Sequence, residues 1–188
     1  NNILSLLRWL FKDTIVVLRG GLFVRGVRLR GRYAFIPCDS SEEDFFASLP
    51  LDGKVVYDIG AHVGKYTAAF SRSVGKRGRV IAFEANPQMA LFLQDTIAVN
   101  KCTNEQIVGS GVSDSPGTGM FTVLQRSTGT ATFERRHVQD MLYKKGRIGK
   151  FFVNFNTVDY FREQYNLPLP AVVKIDVEGL EHAVLCGM

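Results

Sequence analysis

Residues 55–67 read Val55-Val56-Tyr57-Asp58-Ile59-Gly60-Ala61-His62-Val63-Gly64-Lys65-Tyr66-Thr67. Val55, Val56, Tyr57 and Ile59 make a short apolar, β-favouring run, Gly60 and Gly64 permit a tight turn and close approach, and Thr67 begins a helical stretch. A strand that passes through a glycine turn into a helix is the junction over which open α/β sheets hold nucleoside ligands, beyond the strand's carboxyl end.

The charges narrow the ligand. A dinucleotide fingerprint spaces three glycines as G-x-G-x-x-G so that backbone N–H groups face a pyrophosphate; here Gly60 and Gly64 stand alone and Asp58 occupies the strand tip. A carboxylate there repels phosphate and attracts a cation. S-adenosylmethionine carries an ammonium and a sulfonium and no phosphate, so it fits better. The next apolar run, Arg79-Val80-Ile81-Ala82-Phe83-Glu84, ends in an acid 20 residues beyond Gly64. Two acceptor oxygens at Glu84 match the two hydroxyls of a ribose, a device that a nicotinamide site shares. Taken singly, Asp58 also suits a turn at a strand end and Glu84 a helix entry.

Working outward, Ser40-Ser41-Glu42-Glu43-Asp44 predicts a helix start with acids in its first turn, running into Phe45-Phe46-Ala47-Ser48-Leu49 and broken by Pro50, Asp52 and Gly53. Tyr66 to Val74 reads as a helix, Gly75 to Gly78 as a turn and Val80 to Phe83 as a strand. Pro87 to Asn100 reads as a second helix, capped by Asn86 with Pro87 at its first position. A third strand is expected within Glu105 to Asp114, along Ile107-Val108-Gly109-Ser110-Gly111-Val112, with Ser113 and Asp114 at its tip beside the other two. Those two residues are candidates to face an adenine, or form a plain turn. Met120 to Leu124 and Phe151 to Phe155 read as further strands. The polar stretch between them, with Arg135, Arg136, Lys144, Lys145, Arg147 and Lys150, is a candidate lid or a surface excursion.

The 188 residues predict one main domain, and 46% hydrophobic with 22% charged residues is ordinary for a chain that buries a core. Cys38, Cys102 and Cys186 show neither CxxC nor Cys/His ligand spacing, which points to reduced thiols and a cytoplasmic location. His62, His137 and His182 form no ligand set with the acids, so no metal is expected. Charge is uneven: through Cys38 there are seven basic residues against Asp13, a net +6 in a chain whose total is +5. Arg28, Arg30 and Arg32 share a face if their segment is a strand, either a solvated edge or a surface for phosphate, an acidic glycan or a membrane. Before it, residues 3–12 read as an amphipathic helix, too short and too charged to span a bilayer and without a signal cleavage site. Docking on the domain is its expected role; peripheral membrane contact is the alternative. Residues 1–39 are thus read as an amino-terminal helix and basic strand segment, and 40–188 as the ligand-binding domain.

Ala171-Val172-Val173-Lys174-Ile175-Asp176-Val177-Glu178-Gly179-Leu180-Glu181 is another buried strand, with charge concentrated at its end. Lys174, Asp176 and Glu178 alternate along it and Glu181 opens the following helix. Here the pattern becomes specific. Asp58-Ile59-Gly60-Ala61-His62-Val63-Gly64, then Phe83-Glu84-Ala85-Asn86-Pro87, then Lys174-Ile175-Asp176-Val177-Glu178-Gly179-Leu180-Glu181 resembles the FkbM family of S-adenosylmethionine-dependent methyltransferases over about residues 33–188. The resemblance implies an α/β, Rossmann-like class I methyltransferase sheet with helices on both faces, and O-methylation of a hydroxyl on a sugar, glycan, polyketide or similar acceptor. Members commonly carry Asn where His62 stands. The chain opens without Met and stops just inside the helix after the fourth core strand, so a fragment lacking the last strands is expected.

The candidate cofactor residues are Asp58, Gly60, Ala61, His62, Gly64, Tyr66, Thr67, Glu84, Ala85, Asn86, Ser113 and Asp114. For a direct SN2 methyl transfer, Asp176 is the first candidate to orient the acceptor or take its proton, Glu178 the second, with Lys174 steadying a developing alkoxide. Lys174 equally suits pairing with a carboxylate to satisfy a buried strand end, and Glu181 a helix cap. Two other classes remain at this stage. One is a protein that binds or modifies RNA through its basic amino-terminal segment, although no aromatic–basic recognition signature is present; the other is a non-catalytic cofactor-binding module. The missing third glycine counts against a nicotinamide oxidoreductase.

Overall fold

The computed structural model describes residues 15–17, 24–30, 40–124, 131–132 and 148–188. The helix expected over residues 3–12, Arg32, Cys38, His137 and the stretch with Arg135, Arg136, Lys144, Lys145 and Arg147 lie outside those residues.

Chain order begins with a two-stranded antiparallel ribbon, β1 (Ile15–Val17) and β2 (Arg28–Arg30). There follow α1 (Ser40–Ser48), β3 (Val55–Ile59), α2 (Lys65–Val74), β4 (Arg79–Phe83), α3 (Pro87–Asn100) and β5 (Glu105–Val108). Then come β6 (Gly111–Val112), β7 (Gly117–Leu124), β8 (Ala131–Thr132), β9 (Ile148–Asn156), α4 (Val158–Tyr165), β10 (Val172–Ile175) and α5 (Glu181–Cys186). The main sheet is parallel with order β10-β3-β4-β5, and a second sheet has order β6-β9-β7-β8.

Alternation along β3 and β4 divides the core. Val56 and Val80 face a buried cluster with Phe70 and Val74 of α2 and Phe46 of α1, while Tyr57, Ile59, Ile81 and Phe83 face Val158 and Phe161 of α4 and Val184 of α5. Helices therefore cover both faces of a parallel sheet, the layered solution for strands that are apolar throughout. Local chemistry sets the boundaries. The Asn86 side chain accepts from Gln88 N and Met89 N, Pro87 needs no donor at the first position, and Lys101 closes α3 in the left-handed region. Thr157 caps α4 by accepting from Tyr160 N, and Asn166 ends it.

The amino-terminal ribbon is tied to this frame. Val24, Val27 and Leu29 are buried in the cluster that holds Phe70 and Val74, and Arg28 is exposed beside buried Leu29. Asn100 brackets the ribbon by accepting from Arg28 N at 2.9 Å and donating to Arg28 O at 2.8 Å. Val24, Val27 and Leu29 thus share their core with the rest of the chain.

The third strand departs from expectation. Instead of one strand ending in Ser113-Asp114, β5 stops at Val108, the backbone turns through Gly109 and Ser110, and β6 joins β9 in the second sheet. Ser110 N donates to Val108 O at 3.0 Å and Ser110 Oγ to Asn154 O at 2.8 Å, which fixes the turn. Gly111 lies flat on Phe155; a Cβ there would meet the ring at 2.4 Å. The backbone therefore needs glycine to cross between sheets, a signal that a run of apolar residues masks.

Candidate active site

In the main sheet the strand order reverses at β3, with β4 and β5 on one side and β10 on the other, so a crevice opens above the carboxyl ends of β3 and β10. The register there is close: Lys174 pairs with Asp58 and Ile175 with Ile59, while Ile59 pairs with Phe83 on the other side. The functional candidates of three distant segments meet at one edge.

The turn after β3 is held by backbone. Gly60 N and Ala61 N both donate to Phe83 O at 3.0 Å, and Gly64 N donates to Ala61 O at 2.9 Å. Gly60 and Gly64 adopt φ 83°, and His62 adopts φ 54°, a region in which Asn and His are enriched. The substitution of His for the family's common Asn thus keeps the turn. The glycines serve packing: a Cβ on Gly60 would sit 1.9 Å from Asp176 O and one on Gly64 would sit 2.5 Å from the Leu93 side chain. Gly60→Ala is expected to cost about 2–5 kcal/mol from left-handed strain plus the clash with β10's exit, read by urea denaturation.

Glu84 ends β4 in a buried position. His62 N donates to its Oε2 and Asn86 N to its Oε1, each at 2.7 Å, so each carboxylate oxygen keeps a lone pair for a further donor. Burial pushes its carboxyl up to about 7 and the nearby Asp58 charge adds to the rise, against the two backbone hydrogen bonds and Lys174. Ala85 and Asn86 carry the chain from this carboxylate into α3, with Asn86 spent on capping.

Asp58 is fully buried and its side chain is engaged within the protein. Thr67 Oγ1 donates to its Oδ2 at 2.6 Å, and Lys174 Nζ lies 3.5 Å from its Oδ1. Within the protein, the cation beside Asp58 is Lys174. Lys174 also lies 3.4 Å from Asp176 Oδ2 and 5.3 Å from the centre of the Tyr66 ring. Burial works against its ammonium, but Asp58, Asp176 and Glu42 together more than offset it and raise the pKa above the ordinary lysine value. Lys174 is a fixed cation, not a base.

Asp176 and Glu178 stand at the mouth. The Asp176 side chain is 65% exposed while its N donates to Ile59 O at 3.0 Å, so a rigid backbone presents an accessible carboxylate. Glu178 is exposed with φ 49°, followed by Gly179 at φ 101°. Glu181 accepts from Gly179 N and Val177 N, which holds this loop against α5; its own backbone N–H, helped by those two, lowers its pKa against the effect of burial. Ser113 and Asp114 do not join the group: they follow β6, with Ser113 N on Asn156 O, and abut Gly187 beyond α5. Gly109 and Ser110 are the residues that leave β5 at the carboxyl edge.

Two residues were missed from the sequence. Tyr66 Oη donates to Glu42 Oε2 at 2.7 Å, which brings α1 to the site, and Lys65, buried in the first turn of α2, places its ammonium 4.4 Å from the Tyr66 ring centre. A lysine directly behind the second glycine was a legible signal; Glu42 read only as a helix-entry acid. Among the described residues no group of His, Cys, Asp and Glu has the arrangement of a metal site.

A parallel sheet with a reversal point, a two-glycine turn and an acid at the tip of the neighbouring strand is the arrangement of a Rossmann-like fold, the fold of class I methyltransferases. The methyltransferase FkbM domain is recognised across residues 58–188, and the chain belongs to that family of S-adenosylmethionine-dependent methyltransferases. Among solved structures, an FkbM methyltransferase from Methylobacillus flagellatus KT is 16% identical, with a TM-score of 0.49 over 75% of this chain and 30% of its own. A protein-L-isoaspartate O-methyltransferase is 26% identical over 38% of this chain and 23% of its own, with a TM-score of 0.36. The Aeropyrum pernix fibrillarin with natively bound S-adenosyl-L-methionine is 23% identical over 34% of this chain and 27% of its own, with a TM-score of 0.29. The chain spans about 30% of the length of the FkbM structure it matches. No curated protein sequence matches it.

Proposed function

We propose that the protein transfers a methyl group from S-adenosylmethionine to a hydroxyl of a small-molecule or glycan acceptor. The observation that carries this reading is Glu84, a buried carboxylate whose two oxygens each accept one backbone N–H and keep one lone pair. That is the acceptor pattern a ribose diol completes. The rest of the edge fits the same ligand. Gly64 caps α2 without a side-chain hydrogen bond, so the helix start with Lys65 favours a carboxylate, and the exposed Asp176 and Glu178 favour cationic groups.

When bound, S-adenosylmethionine supplies a methyl group activated by its sulfonium. The chain's own work is alignment and proton removal. Glu84 holds the ribose, and Asp58 with Thr67 fixes the start of α2. Lys174, tied to Asp58 and Asp176, holds Asp176 at the mouth, where its carboxylate takes the acceptor's hydroxyl proton; Glu178 is the second candidate for that role. A positioned base of this kind contributes about 10²–10⁴ in rate.

Calorimetric titration with S-adenosylmethionine, S-adenosylhomocysteine and NAD tests the reading. Binding of the first two and not the third is expected, followed by transfer of isotope-labelled methyl to a hydroxyl acceptor. Preferential binding of NAD by the folded protein overturns it.

A further inference from the structure

Charge on this protein is sorted along the strand direction. The carboxyl edge carries Asp58, Glu84, Asp176 and Glu178 against Lys65 and Lys174. At the opposite edge, Arg25, Arg28, Arg72, Lys76, Arg79 and Lys101 are all exposed. They come from four neighbouring elements, the ribbon, α2, β4 and α3, that hydrogen bonds tie together. Arg72 donates to Arg25 O at 2.6 Å, Asn100 brackets Arg28, and the Asn104 side chain donates to Ser71 O and Gly75 O, tying the end of α3 to the end of α2. Arg79 N donates to the carbonyl of Lys54, another exposed cation. Of the acids at this end, Asp52 is paired with Arg77 at 2.6 Å and Glu105 accepts from Asn104 N. The result is a group of exposed cations on rigid secondary structure, at the end of the sheet away from the chemistry.

We propose that this face docks the protein on a bilayer surface rich in anionic lipid headgroups. Separate mobile headgroups suit cations scattered over a broad face, and each such charge adds to the attraction without a shaped pocket. A single-stranded nucleic acid would call for aromatic platforms among the cations. Among the described residues, the exposed aromatic side chains Phe45, Phe152, Tyr160 and Tyr165 lie on α1, β9 and α4, outside the elements that carry the basic face. Docked this way, the active-site mouth faces the aqueous phase, about 16 Å of strand from the basic edge. The acceptor is then met in water, beyond the headgroups.

Co-sedimentation with phosphatidylcholine vesicles, with and without about a third phosphatidylserine, tests this at several salt concentrations. Binding is expected only to the anionic vesicles and falls as salt rises. The triple variant Lys54→Gln, Lys76→Gln, Lys101→Gln, none of them at the active site, is expected to bind anionic vesicles about a hundredfold more weakly. Its calorimetric affinity for S-adenosylmethionine should equal the parent's, which shows that it is folded. Equal binding to neutral vesicles, or full retention of vesicle binding by the triple variant, overturns the proposal. So does displacement from the vesicles by an RNA or DNA oligonucleotide at lower concentration than by an anionic lipid, which assigns the face to nucleic acid.

Discussion

Glu84→Ala is expected to lower the affinity for S-adenosylmethionine by at least about a hundredfold, since two charge-assisted hydrogen bonds to a ribose are each worth about 1.5–3 kcal/mol. The variant also removes the partner of His62 N and Asn86 N, so a melting measurement separates loss of ligand from loss of fold. The pH dependence is more diagnostic. Burial raises this carboxyl from the ordinary 4.5 to about 7 in the folded protein, so the native state holds a proton that the unfolded chain releases between those values. Its contribution to stability is full below about pH 4.5 and is lost as pH rises to about 7, a change of about 3 kcal/mol in the unliganded protein. In Glu84→Ala that slope should vanish. Ribose hydroxyls donate to the ionised form, so affinity in the parent should strengthen as pH rises toward 7 and level off above it. Calorimetry near pH 6 in two buffers of different ionisation enthalpy should record about one proton released on binding. Affinity that does not change between pH 5.5 and 8 would show that Glu84 does not meet the ligand.

The second large effect is on the buried pair. Lys174→Ala leaves Asp58 fully buried with the Thr67 hydroxyl as its remaining side-chain partner among the described residues, and removing one member of such a pair costs about 3–5 kcal/mol. Urea denaturation should show that loss, and the double variant Asp58→Asn, Lys174→Met should recover much of it because no charge is left uncompensated. Asp176→Asn is the contrast. Its side chain is largely exposed, so stability should change by less than about 1 kcal/mol while methyl transfer slows. Equal destabilisation by Asp176→Asn and Lys174→Ala would mean that Asp176 is structural and not a proton acceptor at the mouth.

These roles were only partly legible from residue order. Asn86-Pro87 announces a helix because capping and a fixed φ act within four residues, and α3 begins where those rules place it. The apolar runs of β3, β4 and β10 announce themselves for the same reason. Close packing explains the one failure among the core strands: the sequence 107–112 reads as continuous, yet the backbone leaves one sheet after Val108 and enters another at Gly111, where only glycine fits against Phe155. Ser113 and Asp114 moved with it. Asp58 was recognised as special, but its partner stands in a strand far along the chain. No local rule states that Lys174 falls opposite it.

The sequence alone determined the βαβ units, the glycine turn, the acid at the end of β4 and the family, because each depends on neighbours in the chain. Tertiary structure decided that Asp58 is neutralised by Lys174, that Glu42 reaches the site through Tyr66, and that bases and acids gather at opposite ends of the sheet. A strand's period says which face a side chain takes. Only the pairing of distant strands and the packing of helices across them says what that side chain will meet.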